Sequence, residues 1–244
     1  MKKFIIKFIT GLKDIIYPKT CLICKQDLAS NCVDELVCVK CWTSIKKNPP
    51  PFCHRCGRNL DRKSLANTLC SACLKNRMHF DRAFAPCIYE GPIKDLIHEF
   101  KYNNKDYLAA TLSSLMVDFI REYDVPISAM DVIIPVPLHP ARLREREFNQ
   151  AELLARNIAP LFTKIVSTNN LVRLRHTRTQ AELEGSDRLI NVKDSFAVKM
   201  PDLIKGKNIL LIDDVMTTGA TSSEASRALK SAGANTVFVL TLAN

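Results

Sequence analysis

Apolar residues along this chain keep more than one rhythm. Phe4, Ile5, Phe8, Ile9, Leu12, Ile15 and Ile16 recur at helical steps with lysines between them. That spacing predicts an amphipathic helix within residues 1–17. Residues 18–82 are organised by cysteines instead. From residue 83 onward, strand and helix signals alternate. Phe84–Tyr89 reads as a short strand. Pro92–Tyr102 reads as a helix whose apolar face is Ile93, Leu96, Ile97 and Phe100, and Tyr107–Ile120 as a second helix. Val132–Val136 is an apolar strand ending in prolines, and Phe148–Phe162 is helical. Ile209–Ile212 is a buried strand, Ser222–Ser231 a helix and Thr236–Leu242 the last strand. Apolar strands separated by helices predict a parallel sheet with helices on both faces, an α/β domain over residues 83–244. In such sheets ligands sit at the carboxyl ends of the strands.

The cysteines change the picture for residues 18–82. Eight of the ten fall in C-x-x-C pairs: Cys21/Cys24, Cys38/Cys41, Cys53/Cys56 and Cys70/Cys73. The spacing within the first two pairs repeats in the last two, so this segment is an internal repeat. A C-x-x-C turn aims two sulfurs at one point, and two turns complete a tetrahedral S₄ site for structural Zn²⁺. Gly57, just after Cys56, suits the positive φ such a knuckle needs. One or two ions are expected. Sequential sets (21/24/38/41 and 53/56/70/73) and a cross-braced arrangement both satisfy the spacing. Cys32 and Cys87 fall outside the pattern and read as core residues. Asn48-Pro49-Pro50-Pro51 breaks regular structure between the halves. Trp42, Phe52, His54, Arg55 and Arg58 flank the knuckles, where they suit either base stacking or packing.

The chain has 244 residues, 47% of them apolar, with a mean hydropathy near zero. That suits a soluble protein of one ordinary domain and a small one. No apolar run is long enough to span a bilayer. Lys7 interrupts the N-terminal apolar pairs and no small-residue cleavage site follows, which argues against a secretory signal. A cytoplasmic, reducing setting is expected, with peripheral contact at an inner membrane through residues 1–17 as an option. Residues 1–82 hold 16 Lys and Arg against 6 Asp and Glu, whereas residues 83–244 hold 19 of each. The net +10 of the chain therefore lies wholly in its first third. Eight thiolates around two Zn²⁺ would reduce it to about +6. A basic module of this kind suits a polyanion such as single-stranded DNA.

The most chemically informative segment is Ile209–Thr221. It is a buried strand, then Asp213 and Asp214, then Val215-Met216-Thr217-Thr218-Gly219-Ala220-Thr221 leading into a helix. Loop amides and threonine hydroxyls at a helix start can surround a phosphate. Gly219 permits close backbone approach. The two carboxylates can accept hydrogen bonds from ribose hydroxyls.

This segment resembles the signature of the type I phosphoribosyltransferases, which bind phosphoribosyl pyrophosphate (PRPP) with Mg²⁺. The resemblance implies that Asp213 and Asp214 contact the ribose and that Thr217–Thr221 hold its 5′-phosphate. Several further motifs resemble the ComF competence family. They are Pro135-Val136-Pro137-Leu138-His139, Arg142, Arg146, Phe148–Ala155, Arg173-x-Arg175-x-Thr177-x-x-Gln180, Arg188 and Asn191, behind a cysteine-rich double ribbon. The likeness runs from Cys21 to near the end. It implies a type I phosphoribosyltransferase-like parallel sheet flanked by helices, with an N-terminal Cys₄ zinc-ribbon module over residues 18–82. Val136, Pro137 and Leu138 would lie in the pyrophosphate loop. Arg142, Arg144 and Arg146 would neutralise the diphosphate, although Glu145 and Glu147 alternate with them as in a salt-bridged helix start. Residues 173–191 would form a mobile hood carrying Arg175, Thr177 and Gln180, and Lys101 would also reach the phosphates.

Three functions follow from the resemblance. The first is a PRPP-binding protein that handles incoming single-stranded DNA in natural transformation, with a helicase partner. The second is an active phosphoribosyltransferase on an unidentified acceptor. The third is a PRPP-responsive regulator without turnover. No segment declares a nucleobase pocket.

Overall fold

The computed structural model describes residues 19–28, 32–60, 68–102, 104–175 and 192–244. The expected helix within residues 1–17, and most of the expected hood with Thr177, Gln180, Arg188 and Asn191, lie outside these residues.

The ribbon module holds a small hairpin of β1 (Cys32–Val33) and β2 (Val37–Cys38), then two short helices, α1 (Val39–Thr43) and α2 (Ser71–Lys75). The larger domain follows. Its elements are β3 (Arg82–Phe84), α3 (Pro92–Tyr102), α4 (Leu108–Glu122), β4 (Val132–Pro135), α5 (Pro140–Arg146) and α6 (Gln150–Ile158). Then come β5 (Ile165–Val166), β6 (Leu171–Arg173), β7 (Phe196–Val198), β8 (Asn208–Ile212), α7 (Ala220–Ser231) and β9 (Thr236–Leu240). Five strands form one sheet in the order β3-β9-β8-β4-β5, every neighbour parallel. β6 and β7 pair separately as an antiparallel ribbon. The fold class is the α/β arrangement the sequence predicts.

The central strands are apolar throughout because both sheet faces are covered. Ile209, Leu210, Leu211 and Ile212 are all fully buried. Leu210 and Ile212 join one core with α3 and α4, whereas Ile209 and Leu211 join a second with Ala225 and Leu229 of α7. In α3 the four apolar positions named above are the four buried residues. Each contributes about 1.5–3 kcal/mol of burial before entropy is counted.

The clearest departures from the expected ends are at β3, β9 and α6. β3 stops at Phe84, and beyond it the chain pairs through isolated bridges, Cys87 with Ala243 and with Lys47. Pro86 lies between with no amide to donate. β9 ends at Leu240 rather than Leu242. α6 ends at Ile158 and passes into a 3₁₀ turn at Ala159–Phe162, where Pro160 cannot continue an α-helix.

The four sulfurs of Cys21, Cys24, Cys38 and Cys41 lie within 4.8 Å of one another, and so do those of Cys53, Cys56, Cys70 and Cys73. The pairing is sequential, not cross-braced. Backbone amides support the sulfurs: Cys38 N–H donates to Cys21 Sγ at 3.4 Å, and Cys70 N–H to Cys53 Sγ at 3.3 Å. Four crowded thiols resist joint ionisation. The hydrogen bond with Cys56 holds Cys53 down at about 4, while burial pushes Cys41 and Cys73 up to about 12. A tetrahedral dication would relieve that conflict, so both donor sets fit structural Zn²⁺.

The ribbons do not hang from the domain as a separate body. Cys21, Val37, Cys41 and Ile45 enter the core on the α3/α4 face, and Cys53, Cys56 and Leu60 enter the core on the α7 face. The module thus straddles the β3 edge of the sheet. Asn48, expected only to break structure, bolts the junction. It is buried, its amide group donates to the carbonyls of Gly57 (2.8 Å) and Ala85 (2.9 Å), and its oxygen accepts from Asn59 N–H. Gly57 sits at φ +70°, and a Cβ there would stand 2.3 Å from Ala83 O.

Candidate functional site

Loops at the carboxyl ends of β4 and β8 carry most of the expected ligand residues. They meet α3, α5 and the end of β6 around a cleft of about 530 Å³. Val136, Leu138, Arg142 and Arg146 line it from the β4 side; Asp213, Asp214, Val215, Thr217 and Thr221 line it from the β8 side, and Lys101 from α3. Pro137 lies between its two lining neighbours, half-buried.

Each side is positioned by local chemistry. His139 caps α5, its Nδ1 accepting from Ala141 N–H, and Pro140 fills the first turn where no amide partner is needed. Asn149 caps α6 through its Oδ1 and holds the loop by donating to Val136 O at 3.1 Å. Gln150 is buried and ties α6 to α3 by donating to Phe100 O. β8 delivers Asp213 and Asp214, whose backbone is clasped by the end of β9 and the residues after it: Asp213 N–H donates to Leu240 O and Leu242 N–H to Asp214 O. Gly219 stands at φ +78°, and the nearest atoms to an added Cβ are those of Met78 at 3.6 Å. The left-handed turn, rather than crowding, is what requires glycine there.

Several cations gather in the cleft around two carboxylates at its floor. Lys101 Nζ lies 2.9 Å from Asp214 Oδ2, both mostly buried. Burial pulls the Lys101 pKa down, but Asp214 outweighs it and holds the ammonium above its ordinary range. Asp213 is pushed up to about 7, first by burial and then by the adjacent Asp214 charge. Arg146 stacks on Tyr102 with 5.0 Å from guanidinium to ring centre, and donates to Gln150 Oε1 at 3.2 Å. Arg173 is drawn down to about 10 by burial and by Arg142 nearby, with its guanidinium 5.3 Å from the Phe196 ring centre.

Some expected residues fall elsewhere. Arg175 is exposed, donates to Lys193 O and does not line the cleft, which Arg173 does instead. Arg144 is exposed on the outer face of α5. Met216, Thr218 and Gly219 line a second cavity of about 400 Å³ on the ribbon side of the loop, and Thr217 lines both. Ala220 is buried at the start of α7. Sequence reasoning missed Tyr89, His98, Tyr102 and Asn149 as lining residues. His98 and Tyr102 lie one turn apart on α3 and form the ring pair at 4.8 Å; their spacing is the one signal that could have grouped them with Lys101.

Of the residues flanking the knuckles, Trp42, Phe52, Arg55 and Arg58 turn inward, and His54 is exposed. Phe52 packs edge-on against Phe119 and Tyr123, Arg55 donates to Phe80 O at 2.8 Å, and Arg58 donates to Thr217 O on the loop itself. They join the ribbons to the domain rather than presenting stacking platforms. Cys87 is fully buried, as expected, and Cys32 is half-buried in β1. Among the described residues no helix is long and apolar enough to cross a membrane.

Residues 12–76 match the double zinc ribbon domain family, and residues 149–244 match the phosphoribosyl transferase domain family. Competence protein F of Haemophilus influenzae is 31% identical over 227 residues, covering 91% of this chain and 96% of that protein. The DNA utilization protein YhgH of Salmonella typhi is 29% identical over 226 residues, covering 91% and 95%. Competence protein ComFC of Bacillus subtilis is 27% identical over 235 residues, covering 89% and 91%. With two ribbons, a phosphoribosyltransferase-type sheet and end-to-end similarity to these relatives, the chain belongs to the ComF family of competence proteins.

Proposed function

We propose that this protein binds PRPP with Mg²⁺ in the cleft at the ends of β4 and β8, and that it serves the handling of single-stranded DNA in natural transformation. One observation carries the first half: Asp213 and Asp214 share a cleft with Lys101, Arg142, Arg146 and Arg173. Carboxylates suited to ribose hydroxyls thus face cations suited to a diphosphate. The loop from Thr217 to Thr221 supplies amides and hydroxyls for the 5′-phosphate at the start of α7. Mg²⁺ would arrive on the diphosphate and offset its charge. Lys101, paired with Asp214 in this structure, would divide its interaction between that carboxylate and the incoming phosphate.

The DNA half rests on the names of the relatives and on charge. Lys40, Lys47, Lys75 and Arg77 are exposed on the ribbon module, whereas Arg55 and Arg58 are engaged with carbonyls. A phosphate-contact surface predicts salt-sensitive binding of single strands, weakening between about 50 and 200 mM salt. The setting is cytoplasmic, with a helicase as the partner that the family implies. Structural Zn²⁺ holds both ribbons. Transfer to an acceptor and PRPP sensing without turnover are the alternative uses of the same cleft.

Titration calorimetry with PRPP and Mg²⁺ tests the reading. The parent binds and Asp213→Ala/Asp214→Ala does not; released pyrophosphate, with candidate bases present, separates an enzyme from a sensor. A parent protein that shows no binding heat and no protection by PRPP removes the cleft from the account.

A further inference from the structure

The phosphate loop has two sides, and only one of them belongs to the cleft. On the other side lies the cavity of about 400 Å³, closed by the second ribbon. Its floor is apolar: Met78, Phe80 and Met216. Its rim carries polar groups, among them Arg58, Asn76 and the loop threonines. A mostly apolar hollow with a few convergent polar groups is the usual form of a small-molecule or base pocket. Thr217 is in the wall of both spaces, so only the loop separates them.

We propose that this cavity is a nucleobase site, and that with the cleft it seats the last two nucleotides at the 3′ end of a single DNA strand, whose terminal 3′-hydroxyl is the one left free for Asp213 and Asp214. The proposal rests on the reading of the cleft as a ribose 5-phosphate site. A phosphate held on the loop as a monoester has one sugar, in the cleft. Held as a diester, it has a sugar on each side. The second ester oxygen then leads away from the cleft, and the ribbon cavity lies on that side of the loop. The nucleotide in the cleft is the 3′ member, since its 5′-phosphate is the one on the loop; its 5′ neighbour enters the cavity.

Three observations suit this occupant. Two of the floor residues are methionines, whose flexible, polarizable side chains accept flat rings of differing outline, as a sequence-tolerant site requires. Lys75 and Arg77 are exposed on either side of Asn76 at the rim, placed for the phosphates of a strand that continues outward. Arg58 reaches the loop from the cavity side and fixes the Thr217 carbonyl toward the ribbon. In a planar trans peptide the next amide, that of Thr218, then points the opposite way. The peptide is held with its donor turned from the cavity, so the two sides of the loop are chemically different.

The test uses the full-length, zinc-loaded protein, a short fluorescent oligothymidylate and PRPP–Mg²⁺. Ala72 lines the cavity from α2 and does not line the cleft. Ala72→Trp fills the cavity and is expected to weaken oligothymidylate about tenfold while PRPP affinity stays within about twofold, the scale of losing one stacked base. PRPP should displace the oligonucleotide from the parent, because both need the loop. Unchanged oligonucleotide affinity in a folded Ala72→Trp protein overturns the proposal, as does binding of both ligands together without interference. An equal loss of both ligands also overturns it, by making the cavity a support for the loop. Should the variant not fold, the parent is irradiated with iodouracil-substituted oligonucleotide. Adducts on Met78 or Met216 support the site, and adducts confined to other residues overturn it. A parent that ignores PRPP yet loses oligonucleotide on Ala72→Trp would overturn the cleft reading alone.

Discussion

The two ribbons repeat one spacing and serve different faces of the sheet. The first contributes Cys21, Val37, Cys41 and Ile45 to the core around α3 and α4. It is tied there by Asp34, which accepts from Thr111 Oγ1 at 2.9 Å, and by Lys25 against Glu99 at 3.3 Å. None of its residues lines either cavity. The second contributes Cys56 and Cys73 to the wall behind the loop that follows β8, and Arg58 grips that loop directly. Ile88 N–H donates to Lys46 O and Asn48 N–H to Pro86 O, so the strand after β3 is shared by both halves of the module. The lesson is that an internal repeat fixes a fold twice but does not fix a role twice. Position against the sheet decides which copy can influence the ligand.

Removing one thiolate from each ribbon separates these roles most strongly. A structural Zn²⁺ site contributes folding energy outright, so each loss lowers stability. Cys70→Ser should also release the loop and reduce PRPP affinity by more than about tenfold, whereas Cys38→Ser should leave it within about twofold in the folded fraction. Metal content by emission spectroscopy, paired with calorimetry, reads both. Equal losses of affinity would mean that the module acts as a single unit.

The junction between ribbon and sheet gives the next effect. Gly57→Ala must place a Cβ 2.3 Å from Ala83 O at φ +70°. Gly91 has φ +57° with nothing within 4 Å of a built Cβ. Both substitutions carry the left-handed cost of about 1 kcal/mol. Only Gly57→Ala adds the collision, for a total of roughly 2–4 kcal/mol. Denaturant unfolding of the two variants measures the difference, and similar values would show that the ribbon can draw back from β3.

Much of this architecture was legible because it is periodic. The strand Ile209–Ile212 is apolar on both faces, α3 shows its stripe, and the cysteine spacing announces a metal-binding repeat, though not its pairing. The loop after β8 stood out because its order of carboxylates, hydroxyls and glycine suits a phosphorylated sugar, and the fold does place that loop at the end of β8 beside a cleft. What escaped was everything that depends on one surface meeting another. Arg58 and Arg55 suited base stacking as well as packing, and only the fold shows that both bond to carbonyls. Asn48 read as a breaker yet is buried. Arg173 and Arg175 are indistinguishable by composition, but β6 ends at Arg173, which lines the cleft, and Arg175 lies past the strand, where it donates to Lys193 O. The second cavity has no sequence signal, because its walls come from a ribbon, the approach to β3 and the phosphate loop.

Arg58 itself offers a finer cut. Arg58→Ala leaves the ribbon's four sulfurs untouched and removes the bond to Thr217 O. One charge-assisted hydrogen bond of this kind is worth on the order of 1–2 kcal/mol, so PRPP affinity should fall roughly five- to thirtyfold with little change in metal content. A change in stability without any change in affinity would mean the loop keeps its shape without the arginine.

The smallest expected effect lies at the cleft floor and depends on pH. Asp213 has its carboxyl raised from the ordinary range to about 7, by burial and by Asp214. A group raised in the folded state binds a proton more readily there than when unfolded. Its contribution to stability is therefore full below about pH 4 and is lost as pH rises through about 7. At 1.36 kcal/mol per unit the whole shift would be worth roughly 4 kcal/mol, but the cleft is open to water and faces several cations, so about 1 kcal/mol is expected. Asp213→Asn removes the titration. The variant should match the parent near pH 4 and exceed its unfolding free energy by about 1 kcal/mol at pH 8, while losing affinity for PRPP. A difference that stays flat from pH 4 to 8 would mean that water or Lys101 already keeps Asp213 ionised at the floor of the cleft.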